Sequence, residues 1–400
     1  MEVLVRRLTP FALRTVAVIS IAAASGAIPS AGLAAPTGQV SRAAQNDDAL
    51  FAVASSGGWA VGSYITQTGE HSLIERWNGR AWKITPSPGP GRSANDLLGV
   101  AAVSSSSAWA VGYYGNSLDS QRTLIEHWNG RAWKHVASPN VGGSRVQNSL
   151  LAVAVVSSSN VWAVGAYINM TRNVDGAIIE HWNGHAWKIV PGANLGRGRG
   201  GLEGVAAVSS SNIWAVGSRA SGAALIEHWN GHAWKVVRSP NLGRSFSNLT
   251  GVAAASSSSA WAVGIREGRT VTQALIEHWN GRVWKVVPSP NPGGPGWDSH
   301  LSEVAAASPK NVWVVGGYSN ATTGVDSELT LIEHWNGRAW TQVPSPDPGG
   351  PSMSSRFFGV AAASSKSAWA VGSYFDGTAP QSLVAHWNGT AWTQVSSPNR

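Results

Sequence analysis

The stretch "LIEHWNGRAWKHVASPN", Leu124–Asn140, decides the fold. It joins two β-forming runs through Asn129-Gly130, and Asn-Gly so flanked is the strongest short signal for a hairpin. A two-residue turn predicts Trp128 opposite Arg131, His127 opposite Ala132 and Glu126 opposite Trp133, with Glu126 and Trp133 on one face. The phrase then returns along the chain: "RWNG" begins at Arg76, and "HWNG" at His127, His181, His228, His278, His334 and His386.

Two further tryptophans keep step with it. "WAVG" or "WVVG" begins at Trp59, Trp109, Trp162, Trp214, Trp261, Trp313 and Trp369, and a tryptophan follows every "WNG". Three tryptophans in each of seven repeats account for all of the 22 in the chain except Trp297. A period near 50 residues signals a repeat architecture. Each repeat holds four short apolar runs, in the second "LLGVAAV", "AWAVGYY", "TLIEHW" and "RAWKHV", with Ser, Gly, Asn and Pro between them. Such runs are strands, and none is long enough for a helix. The expectation is an all-β, seven-bladed β-propeller of four-stranded antiparallel blades. The blades span about 47–90, 91–141, 142–195, 196–242, 243–292, 293–348 and 349–400. Strand A is the inner strand, rich in Gly, Ala and Val. Strand D, with Lys83, Lys134, Lys188, Lys235 and Lys285, is the outer edge, where lysine opposes pairing with a second molecule.

These repeats resemble the kelch propellers, in which a strand ending in glycine precedes an aromatic-acidic strand and a tryptophan strand; Gly316-Gly317 matches the kelch double glycine. The rhythm of "LIEHWNGRAWKVV" is also similar to the seven-bladed propeller lectins that bind fucose-type sugars. No cofactor is expected. The copper chemistry of kelch-like galactose oxidases needs a cysteine joined to tyrosine, and this chain has no cysteine.

Before the repeats, Arg6, Arg7 and Arg14 precede the apolar "TVAVISIAAASGAI" and the small-residue "AGLAAP". That order is the layout of a secretory signal peptide over residues 1–35, followed by a short linker over 36–46. The chain is therefore expected to be secreted, without a stable membrane anchor. A hydrophobic fraction of 43% with 12% charged residues excludes a disordered chain, and the net charge of +8 favours acidic partners without implying nucleic acid.

A catalytic group is needed once, whereas Glu126, His127 and Trp128, or Glu227, His228 and Trp229, recur in nearly every blade. They are read as scaffold, a buried Glu-His-Trp hydrogen-bond set. Equivalent histidines of neighbouring blades stand ~10 Å or more apart, too far to share a metal, so no metal is expected.

Function is assigned to the other face. The A–B and C–D turns are short and uniform, while the B–C and D–A loops are long and varied, and varied loops on a rigid frame carry binding. Five residues after each strand B tryptophan comes a tyrosine, as at Tyr64, Tyr114, Tyr167, Tyr318 and Tyr374, replaced by Arg219 and Arg266 in blades 4 and 5. Arg197, Arg199, Arg238, Arg244 and Arg269 flank those blades; Asp298, Asp326, Glu328, Asp347 and Asp376 fall near blades 6 and 7. Trp297, in a loop beside Asp298 and His300, suits stacking on a sugar ring. The candidate ligand contacts are Trp297, Asp298, His300, Arg219, Arg266, Tyr318 and Tyr374. No GxSxG, HExxH, P-loop or repeated Asp box appears, so no catalytic residue is assigned. The expected protein is a monomeric extracellular module for a glycan, cell-surface polymer or protein. The alternative is a carbohydrate-active hydrolase or lyase with a solitary acidic site on blades 5–7.

Overall fold

The computed structural model describes residues 47–400 apart from 117–120, 144, 170–173, 194–199, 241–245, 295 and 321–326. The signal-peptide and linker segments lie outside the described residues. Seven separate four-stranded antiparallel sheets follow one another, each in the order A-B-C-D. Blade 1 is Asp47–Ala54, Trp59–Thr66, Gly69–Trp77 and Trp82–Ile84; blade 7 is Ser355–Ser364, Ser367–Phe375, Pro380–Trp387 and Trp392–Gln394. No strand is exchanged between the first blade and the last.

The glycine of "WAVG" has a steric cause. In every blade strand A carries a β-bulge, as between Leu97 and Gly99, and its backbone crowds strand B there. A Cβ on Gly112 would stand 1.9 Å from the Asp96 carbonyl oxygen, and the other six equivalents are as tight. Only glycine admits that approach.

The hairpin that announced the fold differs in register. Trp128 faces Trp133, His127 faces Lys134 and Glu126 faces His135. The turn therefore has four residues, 129–132. The side-chain oxygen of Asn129 accepts the N–H groups of Arg131 and Ala132 at 3.0 Å, and Gly130 rather than the asparagine takes the positive φ, +89°. Asparagine thus acts as an acceptor, which an Asn-Gly count alone does not reveal. The slip spans two positions, so parity holds and Glu126 and Trp133 still share a face.

The tryptophans meet between blades. Strand B's Trp109 packs against Trp182 at 5.0 Å and edge-on to Trp187 at 5.3 Å, both from the next blade. The same triad stands at all seven interfaces. It includes the closing one, where Trp369 of blade 7 meets Trp77 at 5.0 Å and Trp82 at 5.2 Å. Tilted and edge-to-face ring pairs are worth roughly 0.5–1.5 kcal/mol each beyond the area they bury.

Glutamate and histidine do not form one network with tryptophan, which corrects the expectation for Glu126-His127-Trp128 and Glu227-His228-Trp229. As neighbours on a strand they point to opposite faces. The histidine stacks on its own blade's strand B tryptophan, His127 on Trp109 at 4.2 Å and His228 on Trp214 at 4.2 Å. Its Nε2 meets a strand B side chain, Ser107 at 3.1 Å or Asn212 at 2.9 Å. In blade 1, Arg76 takes the histidine's place, with its guanidinium 4.8 Å from the Trp59 ring centroid.

The glutamate reaches the preceding blade. Ser87 donates to Glu126 at 2.8 Å, Ser239 to Glu277 at 2.8 Å, Ser289 to Glu333 at 2.7 Å and Ser397 of blade 7 to Glu75 of blade 1 at 2.7 Å. The donor is the serine of the Ser-Pro that follows strand D. Blade 3 lacks that serine, and there the Ala193 N–H donates to Glu227 at 3.1 Å.

Burial pushes Glu75 and Glu180 up to about 8, and Glu126, Glu277 and Glu333 up to about 7, from an ordinary value of 4.5. A carboxyl whose folded value is raised binds its proton more tightly in the folded chain. Its stabilisation is complete below about pH 4.5 and is lost as pH rises through 7 to 8. Thermal unfolding should therefore give a higher midpoint at pH 5 than at pH 8.5; a midpoint that rises with pH over this range would contradict these buried carboxyls.

Candidate functional site

Each inner strand starts at the long-loop end of the disc, where the end of strand B pairs with it. Trp297 belongs to that inner strand in blade 6, Trp297–Ser308, and pairs with Asn320. The assignment to a loop is thus corrected: the varied segment ends at Gly296, and Trp297, Asp298 and His300 all lie on the strand. Its indole is half-buried, 5.6 Å from Tyr318, and lies over Gly293, where a Cβ would come within 2.4 Å of the ring. In the same loop Asn291 is the one described non-glycine residue with positive φ, +55°, and its side chain accepts from Ser299 at 2.5 Å. The platform under Trp297 is built, not incidental.

On the opposite face of the same strand, toward blade 7, lies a charged trio. His300 Nε2 stands 2.6 Å from Glu328 Oε1, and the Arg356 Nε of blade 7 is 3.7 Å from the same oxygen. Glu328 crosses Gly317, where a Cβ would collide with its carboxylate. Burial alone would raise the Glu328 carboxyl, but His300 and Arg356 more than offset it and hold it below the usual value. His300 and Glu328 remain about one fifth exposed. Arg356 also lies over Phe358, 5.2 Å from the ring centroid.

The other expected contacts are placed less favourably. Asp298 is turned to the frame, accepting the Thr272 N–H at 2.6 Å. Tyr374 packs into the hydrophobic interface of blades 6 and 7, and Tyr114 into that of blades 1 and 2 against His135 at 5.7 Å. Tyr64 stacks on His71 at 5.1 Å, and Arg400 Nη1 donates to its hydroxyl at 3.0 Å. The tyrosine positions thus face blade interfaces rather than forming open platforms. Arg219 and Arg266 are half-buried at the ends of their strands, and the Arg219 charge lowers the Glu227 carboxyl against the rise caused by burial. Described acids on blades 6 and 7 are engaged locally. Asp376 accepts from its own turn at Thr378 and Ala379, and Asp347, raised by burial, bonds Ser355. Arg197, Arg199, Arg244 and Asp326 lie outside the described residues.

One cluster escaped the sequence reading. At the junction of blades 1 and 2, Glu70 accepts from Ser63 at 3.2 Å and from the Tyr113 hydroxyl at 3.2 Å. The fully buried Asp96 lies beside them, with neither of its oxygens in hydrogen-bonding geometry to a described partner. Burial first, then the neighbouring Glu70 charge, pushes Asp96 well above the usual carboxylate range. Glu70 and Glu328 occupy the same blade position, five residues before Glu75 and Glu333, and Asp96 and Arg356 correspond on the following blade. Position-by-position alignment of the repeats would have found both, and would have marked Tyr113 as the sixth tyrosine outside the regular set.

No known protein family matches the chain, and no curated protein matches it. Among solved structures, an ulvan lyase representing a new family of polysaccharide lyases aligns at 11% identity over 88% of this chain and 96% of that one, with a TM-score of 0.52. YCF48 from Cyanidioschyzon merolae aligns at 15% identity over 79% and 90% with a TM-score of 0.45, and a fucose-specific lectin from Aleuria aurantia at 13% over 74% and 96% with 0.42. The likeness to the ulvan lyase is one of fold.

Because burial and the neighbouring Glu70 charge raise the Asp96 carboxyl, the folded chain binds its proton more tightly than the unfolded one, and its stabilisation is present at low pH and lost as pH rises. Asp96→Asn should leave the unfolding midpoint near the wild type at pH 5 and raise it at pH 8. An equal effect at both values would show that Asp96 does not carry this proton.

Proposed function

We propose that the chain is an exported glycan-binding propeller that holds its ligand at the long-loop end over blades 4–6, with Trp297 as the stacking platform. One observation carries this reading: Trp297 alone among 22 tryptophans is absent from the interblade triads, and it lies half-exposed on a built seat at the long-loop end. A partly exposed aromatic ring is a common stacking surface for a ligand ring. Arg219 and Arg266 supply donors to hydroxyl-rich or acidic groups on the blade 4 and 5 side. The test is a glycan array on the protein without residues 1–35. Trp297→Ala should cost about tenfold or more in affinity, consistent with a well-packed aromatic anchor. Arg219→Ala with Arg266→Ala should weaken acidic ligands most, and Lys134→Ala on the outer strand should change nothing. Retention of full binding by the Trp297 variant, with its fold intact, would remove the site from this face.

A cleaving activity has one supporting observation, the His300–Glu328 contact with Arg356 beside it, since an imidazole oriented by a carboxylate is a recurrent base. Under this reading His300→Gln abolishes depolymerisation of an acidic polysaccharide while Trp297→Ala only weakens it. Failure of the wild type to release any oligosaccharide from a panel of such polymers would exclude it.

A further inference from the structure

All seven lysines of the chain, one in each blade, lie at the short-turn end of the disc, opposite the face to which ligand binding is assigned. In blades 1 to 5 they are Lys83, Lys134, Lys188, Lys235 and Lys285, each the second residue of strand D and each exposed. In blades 6 and 7 that position is Thr341 or Thr393, and the lysine appears in the A–B turn instead, as exposed Lys310 and Lys366. The two turns of a blade touch. A Cβ on Gly337 would lie 3.2 Å from the Lys310 side chain, and one on Gly389 would lie 3.4 Å from that of Lys366, where other blades place a serine such as Ser106 or Ser258. The lysine has changed turn but not end.

Exposed arginines of the C–D turns, Arg80, Arg131, Arg282 and Arg338, join the same end. Carboxylates do not. Among the described residues every exposed or half-exposed acid lies at the long-loop end or along the axis, as Glu267, Asp298, Asp376 and Glu303 do. The strand C glutamates that recur before His or Arg, such as Glu75 and Glu126, are buried with carboxyls pushed up to about 8 and about 7, and none of these lysines or arginines forms an ion pair with a described residue.

We infer that the short-turn end is a docking surface for an anionic lipid bilayer. Shape selects this partner among polyanions. Five lysines stand on the outer strands and two on the flat face between them, so no single track around the rim meets all seven; a planar negative surface does. Among the described residues the end offers no helix or long loop to enter a groove, which disfavours duplex nucleic acid. Docking in this way is electrostatic and peripheral. It would direct the long loops away from the bilayer.

The test is sedimentation of the chain without residues 1–35 with vesicles of phosphatidylcholine alone or with about 30% phosphatidylglycerol. Two variants remove equal charge: Lys83→Gln, Lys235→Gln and Lys310→Gln at the short-turn end, against Arg92→Gln, Arg122→Gln and Arg145→Gln at the long-loop end. At about 1 kcal/mol for each basic residue near an anionic surface, the first triple should lower partitioning on the order of 100-fold and the second by about threefold or less. Binding should also vanish near 1 M salt, where the screening length falls to about 3 Å. Equal losses in the two triples would reduce the effect to net charge and overturn the inference. So would indifference of the wild type to anionic vesicles, or equally tight binding of soluble dextran sulfate that the first triple impairs as much. Trp297→Ala and the Arg219 and Arg266 variants leave all seven lysines in place, so the two assignments can fail separately.

Discussion

Everything in this structure depends on one indole of strand B being covered by two indoles of the next blade. A single four-stranded blade is flat and apolar on both faces and cannot bury itself. Only neighbours can cover it. The triad solves this seven times with the same three residues, and the seventh use joins the last blade to the first, so the ring closes without lending a strand. Ser-to-Glu hydrogen bonds run across four of these interfaces. The bond from Ser397 to Glu75 crosses the closing one, with the Arg400 N–H donating to Asp48 at 2.5 Å beside it.

Much of this was legible in the chain because repetition multiplies weak signals. One "HWNG" suggests a hairpin; seven, each with two tryptophans in fixed step, specify blade number, strand order and which loops share an end. What the chain concealed was anything requiring knowledge of the neighbouring blade. Glu126 and His127 are adjacent in sequence, yet one serves the interface with the preceding blade through Ser87 and the other its own blade's Trp109. The turn length was misread for a local reason: Asn129 spends its side chain on two backbone N–H groups, so the glycine alone turns the chain.

The departures from the repeat are where chemistry collects. At the start of strand C most blades place a neutral or small residue, but blade 1 has Glu70, blade 3 Asp175 and blade 6 Glu328. The surroundings of the two glutamates then diverge. Asp96 and two hydroxyls face Glu70, and burial raises both carboxyls there; His300 and Arg356 face Glu328 and hold its carboxyl below the usual value. One scaffold position thus serves the frame in one blade and a partly exposed charged group in another. Trp297 lies on the other face of the blade that carries the charged group. The lysines vary in the same way, moving from strand D to the A–B turn in two blades while keeping to one end of the disc.

The central claim is that interblade indole packing closes the ring as strongly as it joins internal blades. It is tested most directly by comparing Trp369→Leu at the closing interface with Trp214→Leu at an internal one in equilibrium denaturant unfolding. The account predicts a single cooperative transition in both, each destabilised by about 2–4 kcal/mol and by the same amount within about 1 kcal/mol. A Trp369 variant as stable as the wild type, beside a strongly destabilised Trp214 variant, would show that the triad does not close the ring.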